Sequence, residues 1–226
     1  MKPIDNLVNF TVKKRAGRVA LIGRYVSVRP IDWSNDLADL TANLCAPGTD
    51  ELWDYMGFGP FQDGADMQAT IEMTASKNEW EVMSLIQSGT DEVIGSASFM
   101  RNREANGSTE IGCVLFGHKL QRTRMATEAI YLMMEHAFDE LGYRRLEWKC
   151  DARNTKSRAA ALRFGFSYEG IFRQDLIVKG RNRDTAWYSI IDKEWYDIKR
   201  SFLTWLDPKN FDVNLHQKKR LETRRI

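Results

Sequence analysis

After three consecutive strand-like segments, the spacing of apolar residues changes from a strand period to a helix period, and this change restricts the possible folds. Residues 80–86, 93–100 and 109–116 read as three strands separated by turn signals, which predicts an antiparallel arrangement. Residues 125–141 then place apolar side chains at helical spacing, and 145–150 alternates as a strand again. A strand–helix–strand step of this kind predicts a right-handed parallel crossover.

The remaining segments complete an α/β (α+β) fold with a mixed, mostly antiparallel sheet and helices on both faces. Further strands are predicted over 25–31, 166–172 and 184–191, and a charged turn at 179–182 joins the last two. Helices are predicted around 37–44 and over 66–76, 155–164 and 194–206. No internal repeat or low-complexity linker divides the chain, so we expect a single domain.

Charge and composition exclude several classes of protein. The 226 residues include 33 Lys and Arg and 31 Asp and Glu, so the overall charge balance gives no reason to expect a nucleic-acid partner. No apolar run approaches the roughly 18 residues that span a bilayer, so no membrane partner is expected. Cys45, Cys113 and Cys150 are odd in number and widely spaced, which predicts neither a disulfide framework nor a zinc site. A reducing cytoplasm is the simplest expected location.

The segment 116–128 joins a predicted strand to the long helix and combines cations with hydroxyl groups. The unpaired N–H groups and partial positive charge of a helix N-terminus favour an anion such as phosphate. Arg122 and Arg124 add formal charge there, and Thr123 and Thr127 add hydroxyl donors. A phosphate site and a solvated helix cap with two surface arginines are both compatible with this segment.

Motifs in a fixed order carry a family resemblance over about 23–195. Gln121 and Ala126 match the Gln/Arg-x-x-Gly-x-Gly/Ala pyrophosphate loop of the GNAT N-acetyltransferase superfamily. The matching motifs that follow are Ala126-Thr127-Glu128-Ala129, Asn154 with Ser157, Gly165-Phe166, Glu169-Gly170 and Arg173. The sequence resembles in particular the branch that acetylates N-terminal alanine of ribosomal proteins. Arg124 departs from the pattern, because the family usually has glycine there.

This resemblance implies a GNAT-like domain over 23–206, with an N-terminal extension over 1–22 and a basic C-terminal tail over 207–226. It also implies acetyl-CoA as cosubstrate, held in a gap beside the strand 109–116, and no metal. The residues expected to contact acetyl-CoA are Leu115, Phe116, Gly117, Gln121, Arg122, Thr123, Arg124, Met125, Ala126, Thr127 and Asn154.

Two residues are candidates for proton transfer. An α-amino group has a pKa of about 7.7–8.0 and attacks a thioester only when neutral, so a general base is useful. Glu110 is the first candidate, and strand alternation predicts that it shares a face with Gly112, Val114 and Phe116. Ser157 is the candidate donor to the departing thiolate, as the resemblance implies. The alternatives are that Glu110 is a structural or solvent-exposed strand residue and that Ser157 is an ordinary residue in the second turn of its helix.

An aromatic segment, broken by glycine and proline, lies between the first two predicted helices. We expect Trp53, Tyr55, Phe58 and Phe61 to form a wall of the acceptor site. A small core beneath a long loop is the alternative.

The sequence therefore favours an N-acetyltransferase that acts on a primary amine, whether a protein N-terminus, an amino acid or a small amine. One alternative is a CoA- or acyl-CoA-binding module without turnover. Another is association with ribosomes or nucleic acid through the tail 214–226, which carries five basic residues and one acidic residue. An exposed sheet edge would also allow a homodimer.

Overall fold

An eight-stranded mixed sheet forms the centre of the protein, and the computed structural model describes the chain over residues 10–223. The strands are β1 (Leu21–Ile22), β2 (Val26–Pro30), β3 (Glu81–Gln87), β4 (Val93–Arg103), β5 (Ser108–Phe116), β6 (Arg145–Asp151), β7 (Ser167–Val178) and β8 (Arg181–Ile191). Their spatial order is β1-β2-β3-β4-β5-β6-β8-β7. Among the strands of this described part, only β5 and β6 pair in parallel, across the predicted crossover, and the expected fold class is confirmed.

Polar side chains cap four of the five α-helices found between residues 10 and 223 at their N-termini. The helices are α1 (Trp33–Leu44), α2 (Gly64–Asn78), α3 (Arg124–Glu135), α4 (Thr155–Arg163) and α5 (Asp192–Leu206). Asp32, Asp63, Thr123 and Asn154 accept hydrogen bonds from the first turns of α1 to α4. One π-helical turn, His136–Glu140, continues α3. Within residues 10–223, no helix has both the length and the apolar character needed to cross a membrane.

The helices cover both faces of the sheet, and each face has its own core. On one face, α3 contributes Ile130 and Met133, and α5 contributes Phe202. On the other face, Leu40 of α1 and Met67 of α2 pack over the sheet. We call these the α3 face and the α1 face.

The hairpin of β7 and β8 is longer than the sequence analysis predicts. Arg181 and Asn182 belong to β8, so the predicted turn over 179–182 shortens to two residues. Lys179 and Gly180 have φ values of +49° and +71°, which suits a two-residue hairpin turn with two left-handed positions. The sequence does not predict the start of β8, because its first residues, 181–184, are polar or charged and lack the apolar alternation that identifies a strand.

Both ends of the described chain pack against the domain. Ala16 and Leu21 of the expected extension are buried in the α3-face core, and so are Phe211 and Leu221 of the expected tail. The predicted boundaries at 22 and 206 stay predictions. Residues 1–9 of the extension and 224–226 of the tail, with two of its basic residues, lie outside the described residues.

A bulge in β5 reverses which residues face each side of the sheet. The register against β4 jumps between Gly112 and Leu115, so Cys113 and Val114 oppose a single residue, and Cys113 has a φ of +47°. After the bulge Leu115 packs in the α1-face core, and Val114 and Phe116 pack against the α3-face core.

The predicted alternation is therefore wrong beyond Gly112. Glu110 shares its face with Gly112 and then with Leu115, not with Val114 and Phe116. A bulge inserts one residue into the two-residue repeat, and nothing in the local sequence marks its position.

Candidate active site

The parallel strands β5 and β6 separate partway along their length and open a cleft. They pair at three positions only, from Ser108 with Arg145 to Glu110 with Glu147. Beyond Glu110 the two strands diverge, and a cavity of about 1840 Å³ opens there, lined by β5, β6, β8 and the first turns of α3 and α4. Backbone groups on the separated edges are free to bind a ligand that lies between the strands.

The loop before α3 lines one end of this cleft. Thr123 caps the helix, and its hydroxyl accepts a hydrogen bond of 3.2 Å from the Ala126 N–H. The wall includes Leu115, Phe116, Gln121, Arg122, Thr123, Arg124, Met125, Ala126 and Thr127, all expected from the sequence. Gly117 does not line it, and its N–H donates to the Ile94 carbonyl at 3.1 Å.

Arg124 stands where the family pattern has glycine, and the backbone accommodates it. It is the first residue of α3, and the left-handed residue of the loop is Arg122, with a φ of +60°. The Arg124 guanidinium lies 3.9 Å from the Tyr25 ring centre and 5.7 Å from that of Phe211. The side chain is therefore held between two aromatic rings from distant parts of the chain.

A third arginine joins this end of the cleft from α4. The Arg163 guanidinium donates a hydrogen bond of 3.0 Å to the Thr127 hydroxyl and lies 4.9 Å from the Trp205 ring centre. Burial lowers the pKa of Arg163. We call Arg122, Arg124, Thr127 and Arg163 the basic end.

Sequence reasoning missed Arg163 and Tyr25, because no local signal links them to the loop before α3. The C-terminal segment also reaches this end. Leu215, His216 and Gln217 line the cleft, and Gln217 accepts a hydrogen bond of 2.8 Å from the Trp205 indole. Part of the predicted tail is therefore a wall of the cleft.

Asn154 and Ser157 both line the cleft where α4 begins. The Asn154 side chain accepts a hydrogen bond of 2.9 Å from the Ser157 N–H and so caps the helix. The Ser157 hydroxyl accepts a hydrogen bond of 3.0 Å from the Trp148 indole. A hydroxyl that accepts in this way still has its own proton to donate into the cleft.

Glu110 lies at the point where the strands separate, with two cations beside it. Lys149 of β6 contacts it at 3.0 Å, and Arg101 of β4 forms a second ion pair. The Lys149 ammonium also lies 2.8 Å from Glu147 and 3.8 Å from the ring centre of Trp187 on β8. We call Glu110, Glu147 and Lys149 the floor; their side chains are at most 4% exposed.

Each buried carboxylate of the floor is paired with more than one cation. Burial alone would raise the pKa of Glu147, but hydrogen bonds from Lys149 and Arg145 lower it to about 2. Arg145 also forms a two-bond contact with Glu169 on β7. The strand alternation predicted over 145–150 puts Arg145, Glu147 and Lys149 on one face of the strand, but it does not reveal that they form a buried charge network.

The aromatic segment divides between the cleft and the core below it. Tyr55 and Phe58 line the cleft. Trp53 is fully buried and donates a hydrogen bond of 2.9 Å to the Leu44 carbonyl. It packs edge-on against Phe61, and neither Trp53 nor Phe61 lines the cleft. Trp53 and Phe61 therefore fit the small-core alternative, whereas the role of Tyr55 and Phe58 as an acceptor wall stays a prediction.

Cys113 lies on the cleft wall at the bulge, and burial raises the pKa of its thiol to about 12. The thiol is therefore protonated at neutral pH and a weak nucleophile. Among residues 10–223, no group of three or more His, Cys, Asp or Glu side chains is arranged to hold a metal ion.

The chain is similar in sequence and in architecture to proteins described as acetyltransferases. A family model described as acetyltransferase (GNAT) domain matches residues 26–167. An uncharacterized N-acetyltransferase of Bacillus licheniformis is 31% identical over 156 residues, 67% of this chain and 87% of that protein. The ribosomal-protein-serine acetyltransferase of Escherichia coli K12 is 32% identical over 105 residues, 46% of this chain and 58% of that protein.

A solved structure covers nearly the whole chain. The crystal structure of a GCN5-related N-acetyltransferase from Brucella melitensis is 39% identical, with a TM-score of 0.91 over 95% of this chain and 97% of that one. The resemblance drawn from the motifs is confirmed by these matches.

Proposed function

Because the chain belongs to the acetyltransferase (GNAT) family, we propose that it moves an acetyl group from acetyl-CoA to a primary amine. The observation that carries the proposal is the cleft between β5 and β6, which leads from the floor to the N-terminus of α3. Separated strand edges offer hydrogen bonds to a linear diamide such as pantetheine, and the helix N-terminus favours a pyrophosphate.

The residues of the basic end fit the phosphate groups of acetyl-CoA. Arg122, Arg124 and Arg163 place three cations there, and none has a carboxylate ion-pair partner within residues 10–223. Tyr25 lines the same cleft, and its hydroxyl is buried without a hydrogen-bond partner in the described chain. Cations without a carboxylate partner, and a hydroxyl without a hydrogen-bond partner, support an anionic ligand with several oxygen acceptors.

Catalysis rests mainly on positioning the amine against the thioester, assisted by a general base and a hydrogen-bond donor. Glu110 would accept the proton from the amine, directly or through water, and Ser157 would stabilise the departing thiolate by donating a hydrogen bond to it. A backbone N–H of β5 near the bulge would polarise the thioester carbonyl. Tyr55 and Phe58 would contact the acceptor from the α1 face.

Calorimetric titration with acetyl-CoA tests the donor half without knowledge of the acceptor. We expect micromolar affinity for acetyl-CoA, retained with dephospho-CoA and lost with pantetheine, because pantetheine lacks the pyrophosphate. An absence of binding at millimolar acetyl-CoA would refute the proposal.

Thiol release with a panel of primary amines tests the transfer itself. Acetyl-CoA binding without thiol release for any amine would make the protein a binding module instead. Where release is seen, Glu110→Gln should lower turnover about 100-fold and leave the acetyl-CoA dissociation constant unchanged. Equal turnover at every pH would remove Glu110 from the mechanism.

A further inference from the structure

Three buried polar atoms in a row on β8 have no hydrogen-bond partner within residues 10–223. They are Nε of Arg183, Oγ1 of Thr185 and Nε1 of Trp187. All three residues line the cleft, and Thr185 is only 2% exposed. A buried donor without a partner is costly, so three in one cavity indicate groups that a ligand would satisfy.

The pairing of β8 with β6 places this row beside the floor. Trp187 pairs with Lys149 and Thr185 with Asp151. Directly opposed residues of antiparallel strands project on the same side, and the Lys149 ammonium lies against the Trp187 ring at 3.8 Å. The row therefore begins next to the floor and continues away from it along β8.

Neighbouring protein groups do not supply the missing partners. Arg153 holds the Asp151 carboxylate through contacts of 3.0 and 2.7 Å. Asp184, the residue between Arg183 and Thr185, projects to the other side by strand alternation, and its carboxylate accepts from the Gln174 N–H at 2.7 Å.

The chemistry of the row specifies what it would bind. The Arg183 and Trp187 nitrogens can only donate, and the Thr185 hydroxyl can donate as well. Their shared ligand is an oxygen with free lone pairs. Because Trp187 lies next to Lys149, which contacts Glu110, that oxygen would belong to the molecule whose amine lies at the floor.

We propose that Arg183, Thr185 and Trp187 form a subsite for a carbonyl or carboxylate oxygen of the acceptor. The acceptor class is then an amine that also carries such an oxygen, as aminoacyl compounds do, rather than a plain alkylamine. This inference rests on the proposed function for its context, but the subsite can be tested by binding alone.

The test compares two compounds that differ only in the oxygen-bearing group. N-acetylalaninamide carries a carboxamide, and N-isopropylacetamide has a methyl group in its place. Both are neutral, so the charge of an amine does not enter. The readout is the Trp187 indole ¹H–¹⁵N resonance in the presence of CoA, assigned from its loss in Trp187→Phe. We expect N-acetylalaninamide to move this resonance downfield, and N-isopropylacetamide to leave it in place.

Equal shifts from both compounds, or no shift from either at their solubility limits, would overturn the subsite. N-acetylalanine, measured in the same way, separates a carboxylate from an amide carbonyl as the preferred oxygen. The result does not depend on turnover. A shift of the Trp187 resonance without acetyl-CoA binding would refute the proposed function and support the subsite. Acetyl-CoA binding without such a shift would support the proposed function and refute the subsite.

Near-isosteric variants separate ligand binding from folding. Thr185→Val should weaken binding of N-acetylalaninamide at least fivefold, leave acetyl-CoA affinity unchanged and not lower the melting temperature. Ser98→Ala is the matched control, because the Ser98 hydroxyl is also buried without a partner in the described chain but does not line the cleft. A melting temperature lowered by Thr185→Val, with N-acetylalaninamide affinity intact, would mean that Thr185 is only structural.

Discussion

The basic end and the floor are both charged, yet their charges are arranged in opposite ways. At the basic end, Arg122, Arg124 and Arg163 have no carboxylate ion-pair partner within residues 10–223. In the floor, Lys149 lies between two buried carboxylates at 3.0 and 2.8 Å. Unmatched charge attracts a ligand, whereas matched buried charge holds strands together. The two ends should therefore respond differently to the loss of one charge: affinity should change at the basic end, and stability at the floor.

Removal of the central cation of the floor should have the largest effect. Lys149→Met removes the cation shared by Glu110 and Glu147 and leaves them their arginine partners, so the cost should lie at the lower end of the about 3–5 kcal/mol typical of breaking a buried ion pair. We expect the free energy of unfolding, measured in urea, to fall by that amount. Lys119→Met is the control, since it breaks an ion pair with Glu92 in which the lysine is 59% exposed. Its cost should stay below about 1 kcal/mol. Equal losses would show that the floor does not stabilise the fold.

Acid should weaken the floor over a defined pH range. The pKa of Glu147 is about 2 in the folded protein, against an ordinary value of 4.5, so its charged form stabilises the fold above pH 4.5. That contribution, on the order of 3 kcal/mol, should be lost as pH falls from 4.5 to 2. Urea unfolding at several pH values measures it. Glu147→Gln should show a correspondingly smaller loss over the same range, and an identical acid profile would contradict the assignment.

The two ends also differ in how much of them the sequence could reveal. Residues 121–127 form a contiguous motif, and the helix cap at Thr123 and the two arginines could be read directly. Arg163 and Tyr25 reach the same place only through tertiary packing. The floor depends on the register of β4, β5, β6 and β8, and the bulge at Cys113 shifts that register with no local signal. Local chemistry was therefore predictable, but pairing between distant strands was not.

Substitution of Arg124 tests whether the arginines of the basic end, which lack a carboxylate partner in the described chain, bind acetyl-CoA. One charge-assisted hydrogen bond to a phosphate, weakened by solvent, contributes roughly a factor of ten in affinity. Arg124→Ala should therefore bind acetyl-CoA about tenfold more weakly by calorimetry, with a smaller difference at high salt. Arg200→Ala, on α5 and away from the cleft, should have no effect.

The family residue at this position gives a sharper version of the same test. Arg124→Gly should lose affinity as Arg124→Ala does, because the position is helical and needs no glycine. Tighter binding by Arg124→Gly would mean instead that the arginine obstructs the loop.

Ser157 should give the smallest effect, and its interpretation depends on Trp148. Ser157→Ala removes one neutral hydrogen bond, so we expect thiol release to slow by about three- to tenfold, with acetyl-CoA affinity unchanged. The hydroxyl also accepts from the Trp148 indole at 3.0 Å, so a structural role is a competing explanation. Trp148→Phe removes that indole donor and keeps the hydroxyl. If Ser157 donates to the thiolate, Trp148→Phe should retain turnover that Ser157→Ala loses. If the hydroxyl only satisfies the indole, both variants should lower stability and neither should slow thiol release.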